Sequence, residues 1–596
     1  MDIKTIYAGR LEELNSQRRK LQQKKSMFGI LRFGAIAAVI AVFYFLWSLG
    51  LVYVFSIATM MLAIFIWLIY TDLANKEAIK HLGHLISVNE AELKALDGFY
   101  YHFEDGSSHL PKTHFYAADI DIFGHASLYQ FVNRTSSDMG ATQLAYWLLN
   151  PARREDIMAR QTAIKELSTK MIWRQELQAY GIENGIKMLT YQRLQQWLHE
   201  PTLFLQFKHW KWLRIVLPAI SISIVTAALF DWIPMNIMYV SLLIFAAIAY
   251  QVNKIVSPLH DKLSKIVDEI AILSSSVMLI EKELFESPLL NQVQQKYRPG
   301  NLPASAAIRH LKKILDRLDL RYNIAVSAPL NLLLLWNLQQ VLELEKWKQD
   351  HAADVENWFE ALGEIEALNS FAAIHFNNPT WTFPVLSDKY FFIEATELGH
   401  PLISEHKRVN NFLTIDGRAS IMLVTGSNMA GKSTYLRSVG VNVVLAMAGA
   451  PVCASKFKLS PIQLVTSMRI ADNLEESTST FYAELKKLKT VIDKVNNGEE
   501  VFILLDEILR GTNSFDRHTG SVALIRQLIK QQSAGIIATH DLALADIKNE
   551  FPANILNYHF DAQVEKEELF FDYKLKPGVC ESMNASILMR KIGIEL

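Results

Sequence analysis

Cysteine is nearly missing from this sequence: Cys453 and Cys580 are the only two in 596 residues, far apart and outside any metal-ligand spacing. That usage excludes a disulfide-stapled secreted scaffold and fits a reduced, cytosolic environment. An excess of either charge is also lacking. Sixty lysines and arginines face 61 aspartates and glutamates, a formal net charge of −1. A global field that gathers nucleic acid is thereby excluded, and binding to such a polymer would have to use a local surface. Residues 33–70 contain no charged side chain at all. One helix of that length would extend about 57 Å at 1.5 Å per residue, nearly twice a bilayer core of about 30 Å. Ser48-Leu49-Gly50 breaks the run, which reads as two spans, 33–49 and 51–70, joined by a tight turn.

A second apolar pair, 213–230 and 233–250, is split by Asp231-Trp232-Ile233-Pro234. Pro234 suits the first turn of a new helix, where its missing N–H would lack a partner anyway. Neither tight turn contains lysine or arginine. Arg18, Arg19, Lys20, Lys24, Lys25 and Arg32 precede the first hairpin, and Lys76 and Lys80 follow it. Lys208, Lys211 and Arg214 precede the second, and Lys254, Lys262 and Lys265 follow. The positive-inside rule then turns both tight turns outward and leaves the rest in the cytoplasm. The expected location is the inner (cytoplasmic) membrane, multi-pass. The competing reading is a set of buried helices in a large soluble core. A cleaved signal peptide fits less well still, because the apolar stretch is too long and is followed by another span.

The C-terminal region carries a different signal. Ile421-Met422-Leu423-Val424 reads as a short buried strand. It runs into Gly426-Ser427-Asn428-Met429-Ala430-Gly431-Lys432-Ser433-Thr434 and then an apolar-periodic helix over 435–448. This is the G-x-x-x-x-G-K-[ST] phosphate loop in its required context of strand, loop and helix. Gly426 and Gly431 let backbone N–H groups curl toward phosphate oxygens at the positive end of a helix. Lys432 is placed to reach the β- and γ-phosphates of ATP, and the Ser433 hydroxyl to ligate Mg2+. Val501-Phe502-Ile503-Leu504-Leu505 is a second buried strand ending in Asp506-Glu507. Asp506 would hold magnesium, and Glu507 would polarise the attacking water as general base. A third strand, 535–539, delivers His540, which is placed to contact the γ-phosphate or that water. Residues 324–338 are apolar too, but Pro329, Asn331 and Asn337 interrupt them, and a fifth span there would carry the ATPase away from ATP.

Taken together these motifs resemble the MutS family of DNA mismatch-repair ATPases. The loop from Gly426 to Tyr435 is similar to the family's extended phosphate loop, including Asn428 and Met429. Asp506-Glu507-Ile508-Leu509-Arg510-Gly511-Thr512-Asn513 resembles its magnesium-site motif, and Glu476-Ser477-Thr478-Ser479-Thr480-Phe481 its Ser-Thr-Phe segment. The resemblance implies that Ser479 acts in trans on the γ-phosphate held by the opposite protomer, hence a homodimer with two composite sites. The plainer reading of 477–480 is a polar loop capping a helix near Phe481. Upstream, Glu397-Leu398-Gly399-His400-Pro401-Leu402 looks like the opening of the family's ATPase domain. Asn411 falls near a family position that contacts adenine, with Arg408 where an aromatic is usual. Ser127–Thr135, Met139-Gly140 and Trp147-Leu148 are similar to the start of its helical core. No counterpart of the family's mismatch-reading domain is expected before residue 118, and none of its helical dimerisation tail after Met583-Asn584-Ala585.

The expected fold is an α/β P-loop ATPase domain, ABC-like and of MutS type, plus an all-α helical core and lever region with four transmembrane helices. Its expected parts are a cytoplasmic segment (1–27), a first hairpin (28–70), a helical core (71–212), a second hairpin (213–250), a helical lever region (251–375) and the ATPase domain (376–596). The resemblance implies a membrane-anchored ATPase that binds DNA, mismatched or structured, in repair or recombination. The alternative is an ATP-driven dimeric switch in membrane or protein assembly with no DNA ligand. Lys312, Lys313, Arg317 and Arg321 form a basic face that reads as a solvated helix surface, with DNA phosphate as its other use. An ABC-type transporter fits poorly, since the four short spans are few and lie far from the ATPase and no Leu-Ser-Gly-Gly-Gln segment is present.

Overall fold

Unbroken apolar runs with no interior proline favour long helices. The computed structural model describes residues 2–45, 50–182, 185–207, 209–298, 302–427, 429–468, 480–561, 563–565 and 568–580. Within it, α1 (Ile3–Phe45) and α2 (Leu51–Leu96) lie side by side. Both run through the expected limits of the first hairpin at 28 and 70, as continuous helices whose inner halves are polar. Of the expected turn, Ser48 and Leu49 lie outside the described residues, and Gly50 adopts a positive φ of 102°. The apolar halves stay exposed, Phe33, Tyr44, Val52 and Trp67 among them. Where they end, the Asp72 carboxylate is buried between Arg32 at 3.1 Å and Lys76 at 3.3 Å.

A helical body follows: α3 (Leu128–Val132), α4 (Asp138–Leu149), α5 (Arg154–Thr169), α6 (Met171–Gly181) and α7 (Met188–His199). The second apolar pair is α8 (His209–Leu229) and α9 (Met235–Leu263). Pro234 sits at the N-cap of α9, one residue ahead of its first turn. Among the described residues, four helices are long and apolar enough to cross a membrane, and these two pairs supply them. Then come α10 (Val267–Lys282), α11 (Pro288–Gln295), α12 (Ala304–Asp319), α13 (Ile324–Leu334), α14 (Trp336–His351) and α15 (Val355–Asn377). Helix α15 is buried along nearly its whole length and packs on α4 and α5.

Buried polar groups tie the apolar pairs to this body. Tyr7 on α1 donates to Asn377 at 2.8 Å, and Asn377 donates to Glu92 on α2 at 2.8 Å. Glu92 in turn holds the buried Arg134 guanidinium through both carboxylate oxygens. On α14, Glu345 accepts the N–H groups of Phe204 and Leu205 at 3.1 and 2.8 Å, fixing the segment that leads into α8.

Strands begin after α15: β1 (Val385–Leu386), β2 (Phe392–Leu398), β3 (Asn411–Asp416) and β4 (Ile421–Thr425), then α16 (Lys432–Ala448). They are followed by β5 (Lys456–Leu459), β6 (Gln463–Ser467), α17 (Thr480–Asn496), β7 (Val501–Asp506), α18 (Ser514–Lys530) and β8 (Ala534–Thr539). The chain closes with α19 (Ile547–Glu550), β9 (Ile555–Phe560), β10 (Gln563–Glu565), β11 (Glu568–Phe570) and β12 (Leu575–Pro577). A small sheet has the order β1-β5-β2-β3, and the main sheet the order β12-β9-β4-β8-β7-β6. In the main sheet β9, β4, β8, β7 and β6 are parallel, and β12 is antiparallel to β9.

Strands buried on both faces read as continuous aliphatic runs, and β4, β7 and β8 do. Their alternate side chains split between two cores. Met422, Val424, Phe502, Leu504 and Ile536 join the large core that continues into the helical body. Ile421, Leu423, Ile503, Leu505 and Ile537 pack under α17 and α18. Backbone bonds stitch the two regions where α16 ends: Ala152 N donates to Met447 O at 3.0 Å, and Arg160 donates to Ala448 O at 3.1 Å.

Candidate functional site

Three neighbouring parallel strands, β4, β8 and β7, end on the same edge of the sheet, the edge at which open α/β sheets receive ligands. The loop after β4 needs conformations that only glycine supplies cheaply. Gly426 has φ 151° and would press a Cβ against the Phe560 carbonyl at 2.8 Å. Gly431 has φ 105° and forms the N-cap of α16, with no side chain capping the helix. The first N–H groups of α16 are therefore free of intrahelical partners and point at whatever anion occupies the loop.

Lys432 is buried at the start of α16. Its ammonium donates to the carbonyls of Gly426 at 2.7 Å and Ser427 at 3.0 Å, and lies 3.2 Å from His540 Nδ1. Burial pulls its pKa down, and the nearby Glu507 and Asp506 carboxylates oppose that. His540 follows β8, with Nδ1 3.1 Å from Gly426 O and Nε2 against a Glu507 carboxylate oxygen. Glu507 sits just past β7 with φ 52°, and its N–H extends the ladder to Ala538 O at 2.9 Å. A left-handed carboxylate residue held this way is positioned by its backbone. Arg510 Nε meets the other Glu507 oxygen at 2.8 Å. Burial works to raise the Glu507 pKa, but the His540 hydrogen bond and the charges of His540, Arg510 and Lys432 outweigh it, so the carboxyl lies below its ordinary range.

Asp506 is buried beside them. Burial raises its pKa, and a hydrogen bond from Ser433 works the other way. Its Oδ1 has no hydrogen-bond partner among the described residues. A buried, unpartnered carboxylate oxygen next to a serine hydroxyl is the oxygen-donor pair that a hard divalent cation takes.

The sequence-derived residues thus converge for the most part. Gly426, Ser427, Gly431, Lys432, Ser433, Asp506, Glu507 and His540 share one edge, and Met429 (φ 70°), Ala430 and Thr434 complete the loop and first turn. Asn428 and Ser479 lie outside the described residues. A cavity of about 380 Å³ opens from the loop toward His400, Arg408 and Asn411. Both ends of the Asn411 amide are already committed: Nδ2 donates to Tyr573 O at 3.0 Å, and Oδ1 accepts from Leu575 N at 2.8 Å. Tyr435, Phe560 and Tyr573 are the aromatic residues lining the cavity, and Tyr573 packs over Gly431.

Tyr573 was not foreseen, because it reaches the loop through β12 pairing and not through any local motif. Glu484 was missed as well. It is buried on α17 and accepts the N–H groups of Leu509 and Arg510, fixing the turn that carries Arg510. No room remains there for a side chain at 511, since a Cβ on Gly511 would meet Phe481 Cβ at 2.6 Å.

These features define a class: an α/β domain built to receive a phosphorylated ligand at the carboxyl edge of its sheet. Residues 422–591 match the family model for MutS domain V. The chain is 33% identical over 223 residues to the mitochondrial DNA mismatch repair protein mutS homolog of Sarcophyton glaucum, covering 36% of this chain and 22% of that protein. It is 32% identical over 238 residues to the DNA mismatch repair protein MutS of Persephonella marina, covering 39% and 27%. It is 32% identical over 205 residues to the human MutS protein homolog 4, covering 33% and 22%. Over this segment the chain is similar to the MutS family. It spans about a quarter of the length of the curated relatives it matches.

Proposed function

We propose that the protein is a membrane-anchored MutS-type P-loop ATPase. It works as a homodimer whose cycle moves helical levers on mismatched or structured DNA, in repair or recombination. The observation that carries the reading is a cavity beneath an uncapped helix end, lined by Lys432, Ser433 and Glu507, with His540 touching Lys432 and Glu507 and Asp506 hydrogen-bonded to Ser433.

In this reading the loop N–H groups and Lys432 bind the β- and γ-phosphates of ATP. Ser433 and the unpartnered Asp506 Oδ1 are the residues that would hold Mg2+, which would neutralise charge on the phosphate oxygens. Glu507, kept ionised by its neighbours, takes the proton of the attacking water. His540 bridges Glu507 to the Lys432 end of the site and orients it. Tyr573 stacks on the adenine. Ser479 completes the site of the opposite protomer. Glu507→Ala should retain nucleotide binding while hydrolysis drops by about 10²–10⁴, the range of a lost general base. Hydrolysis at the wild-type rate would refute the assignment.

The four exposed apolar helices support anchoring in the cytoplasmic membrane, with the N-terminus and ATPase domain in the cytoplasm. The names of the relatives support DNA as the ligand. One observation favours the second reading, an assembly switch without DNA. Two of the basic residues available for phosphate are engaged with carboxylates, Lys312 with Asp316 at 2.7 Å and Arg317 with Glu343 at 3.5 Å. Fluorescence anisotropy of the detergent-purified protein with homoduplex, mismatched and branched DNA separates the two. Failure to bind any of them at low salt leaves the assembly switch.

A further inference from the structure

Two hairpins leave one apolar element unaccounted for. Helix α13 (Ile324–Leu334) contains no buried residue. Ile324 is 80% exposed, and Tyr322 just before it 67%. Yet the helix packs on α8 and α9, the second apolar pair, so its bare face is continuous with theirs.

Hydrogen bonds trace its path. Before it, Arg321 donates to Ser257 on α9. After it, Asn337 donates to Asn253, one turn along the same helix, at 3.1 Å, and Gln339 donates to Arg214 O on α8. Between these anchors Ser221 donates to Leu332 O at 3.4 Å. Ser221 lies seven residues beyond Arg214, about 10 Å further along α8 at 1.5 Å per residue. The chain therefore goes in beside α9, reaches mid-way along α8 and comes out on the side it entered. The turn is made at Leu335, whose φ of 48° is left-handed, and α14 is bent 79° away from the direction of α13. Both ends of the Asn331 amide are satisfied within the protein: Nδ2 donates to Ser327 O and Oδ1 accepts from Asn337 N, both at 2.9 Å. That is what hydrocarbon demands of any non-spanning backbone at membrane depth.

We propose that α13 is a re-entrant element. It dips into the hydrocarbon of the bilayer from the cytoplasmic face, alongside α8 and α9, and returns without crossing. The proposal rests on the reading that α8 and α9 span a membrane. Its occupant is lipid acyl chain, because the exposed face of α13 prolongs the exposed apolar faces of those helices. Arg317 and Arg321, where the chain enters, stand where basic side chains reach headgroup level. The even number of crossings is kept, and the lever region itself touches lipid.

Spin labelling tests this on the full chain in phospholipid vesicles, since Cys453 and Cys580 are both buried and leave little background. Labels go on Ile324→Cys and Val326→Cys, with Tyr239→Cys on α9 and Lys313→Cys on α12 as controls. Retained nucleotide binding checks that each variant folds. Power saturation should show oxygen accessibility exceeding nickel-chelate accessibility at 324, 326 and 239, and the reverse at 313. Nickel-dominated relaxation at 324 and 326 with an oxygen-dominated 239 overturns the re-entrant element alone. So does low accessibility to both reagents, which means protein contact. A nickel-dominated 239 overturns the membrane reading itself.

Discussion

Glu507 and His400 show how burial is used in opposite ways within one cavity. Glu507 gains cationic neighbours that hold its pKa below the ordinary carboxyl range, as its proposed role as base requires. His400 gains Arg437 and Arg408 as neighbours, and burial first and those charges second push its pKa down to about 4. Its Nδ1 accepts the Leu402 N–H at 3.2 Å, a bond that requires the unprotonated nitrogen. The sign follows from that. The unfolded chain protonates this ring near 6.5, the folded one near 4, so the unfolded state binds the extra proton between them. Stability from this group is complete above about 6.5 and lost progressively as pH falls toward 4, by about 3 kcal/mol in all at 1.36 kcal/mol per pKa unit. His400→Gln keeps an acceptor and removes the titration. Unfolding midpoints measured from pH 7 to 4.5 should fall less steeply in the variant than in the wild type. Parallel curves would mean that His400 is solvated in the folded state.

At the scale of elements, what the sequence made legible was whatever is contiguous. The phosphate loop stands between its own strand and helix, and the apolar halves of α1, α2, α8 and α9 announce themselves by the lack of charge. The inner halves of α1 and α2 do not, because their burial is supplied from elsewhere: Tyr7 and Leu14 are the buried residues on all of α1. Tyr573 and Glu484 escaped notice because β12 pairing and the packing of α17 bring them in. Gly140 lies between these cases. The family resemblance marked it, and the structure supplies the reason. Glu366 on α15 reaches across to accept from the hydroxyls of Ser136 and Ser137, both at 2.7 Å, at the start of α4. A Cβ at 140 would stand 2.2 Å from that carboxylate and 2.7 Å from the Glu366 Cβ. Gly140→Ala should therefore destabilise by about 1–3 kcal/mol, the cost of overpacking. Gly9→Ala, in mid-helix with nothing within 4 Å of the new methyl, should stabilise by about 0.5–1 kcal/mol. Thermal unfolding of the two variants should shift in opposite directions, and equal shifts would remove the packing account of Gly140.

For the molecule as a whole the decisive question is whether each site is built from one chain or two. Lys432 belongs to the protomer that binds the phosphates, and the proposal assigns Ser479 to its partner. Lys432→Ala and Ser479→Ala should each abolish hydrolysis in a pure preparation. Their mixture separates the alternatives, because a two-fold dimer repeats the same contact twice in opposite senses. In a mixed dimer one site then combines both lesions, while the other takes an intact Lys432 from one chain and an intact Ser479 from the other. Random exchange puts about half of the protein into mixed dimers, each with one of two sites restored, so activity should return to about a quarter of wild type. If Ser479 served its own chain, every site in the mixture would carry one lesion and nothing would return. Steady-state ATP turnover of the co-purified variants reads the difference. Restoration would also bear on the proposed membrane anchor, since α1 and α2 are tied through Asn377 to the end of α15, just ahead of the first strand. In the proposed reading, two such anchors in one bilayer would hold their domains at a common height, where the composite sites would close.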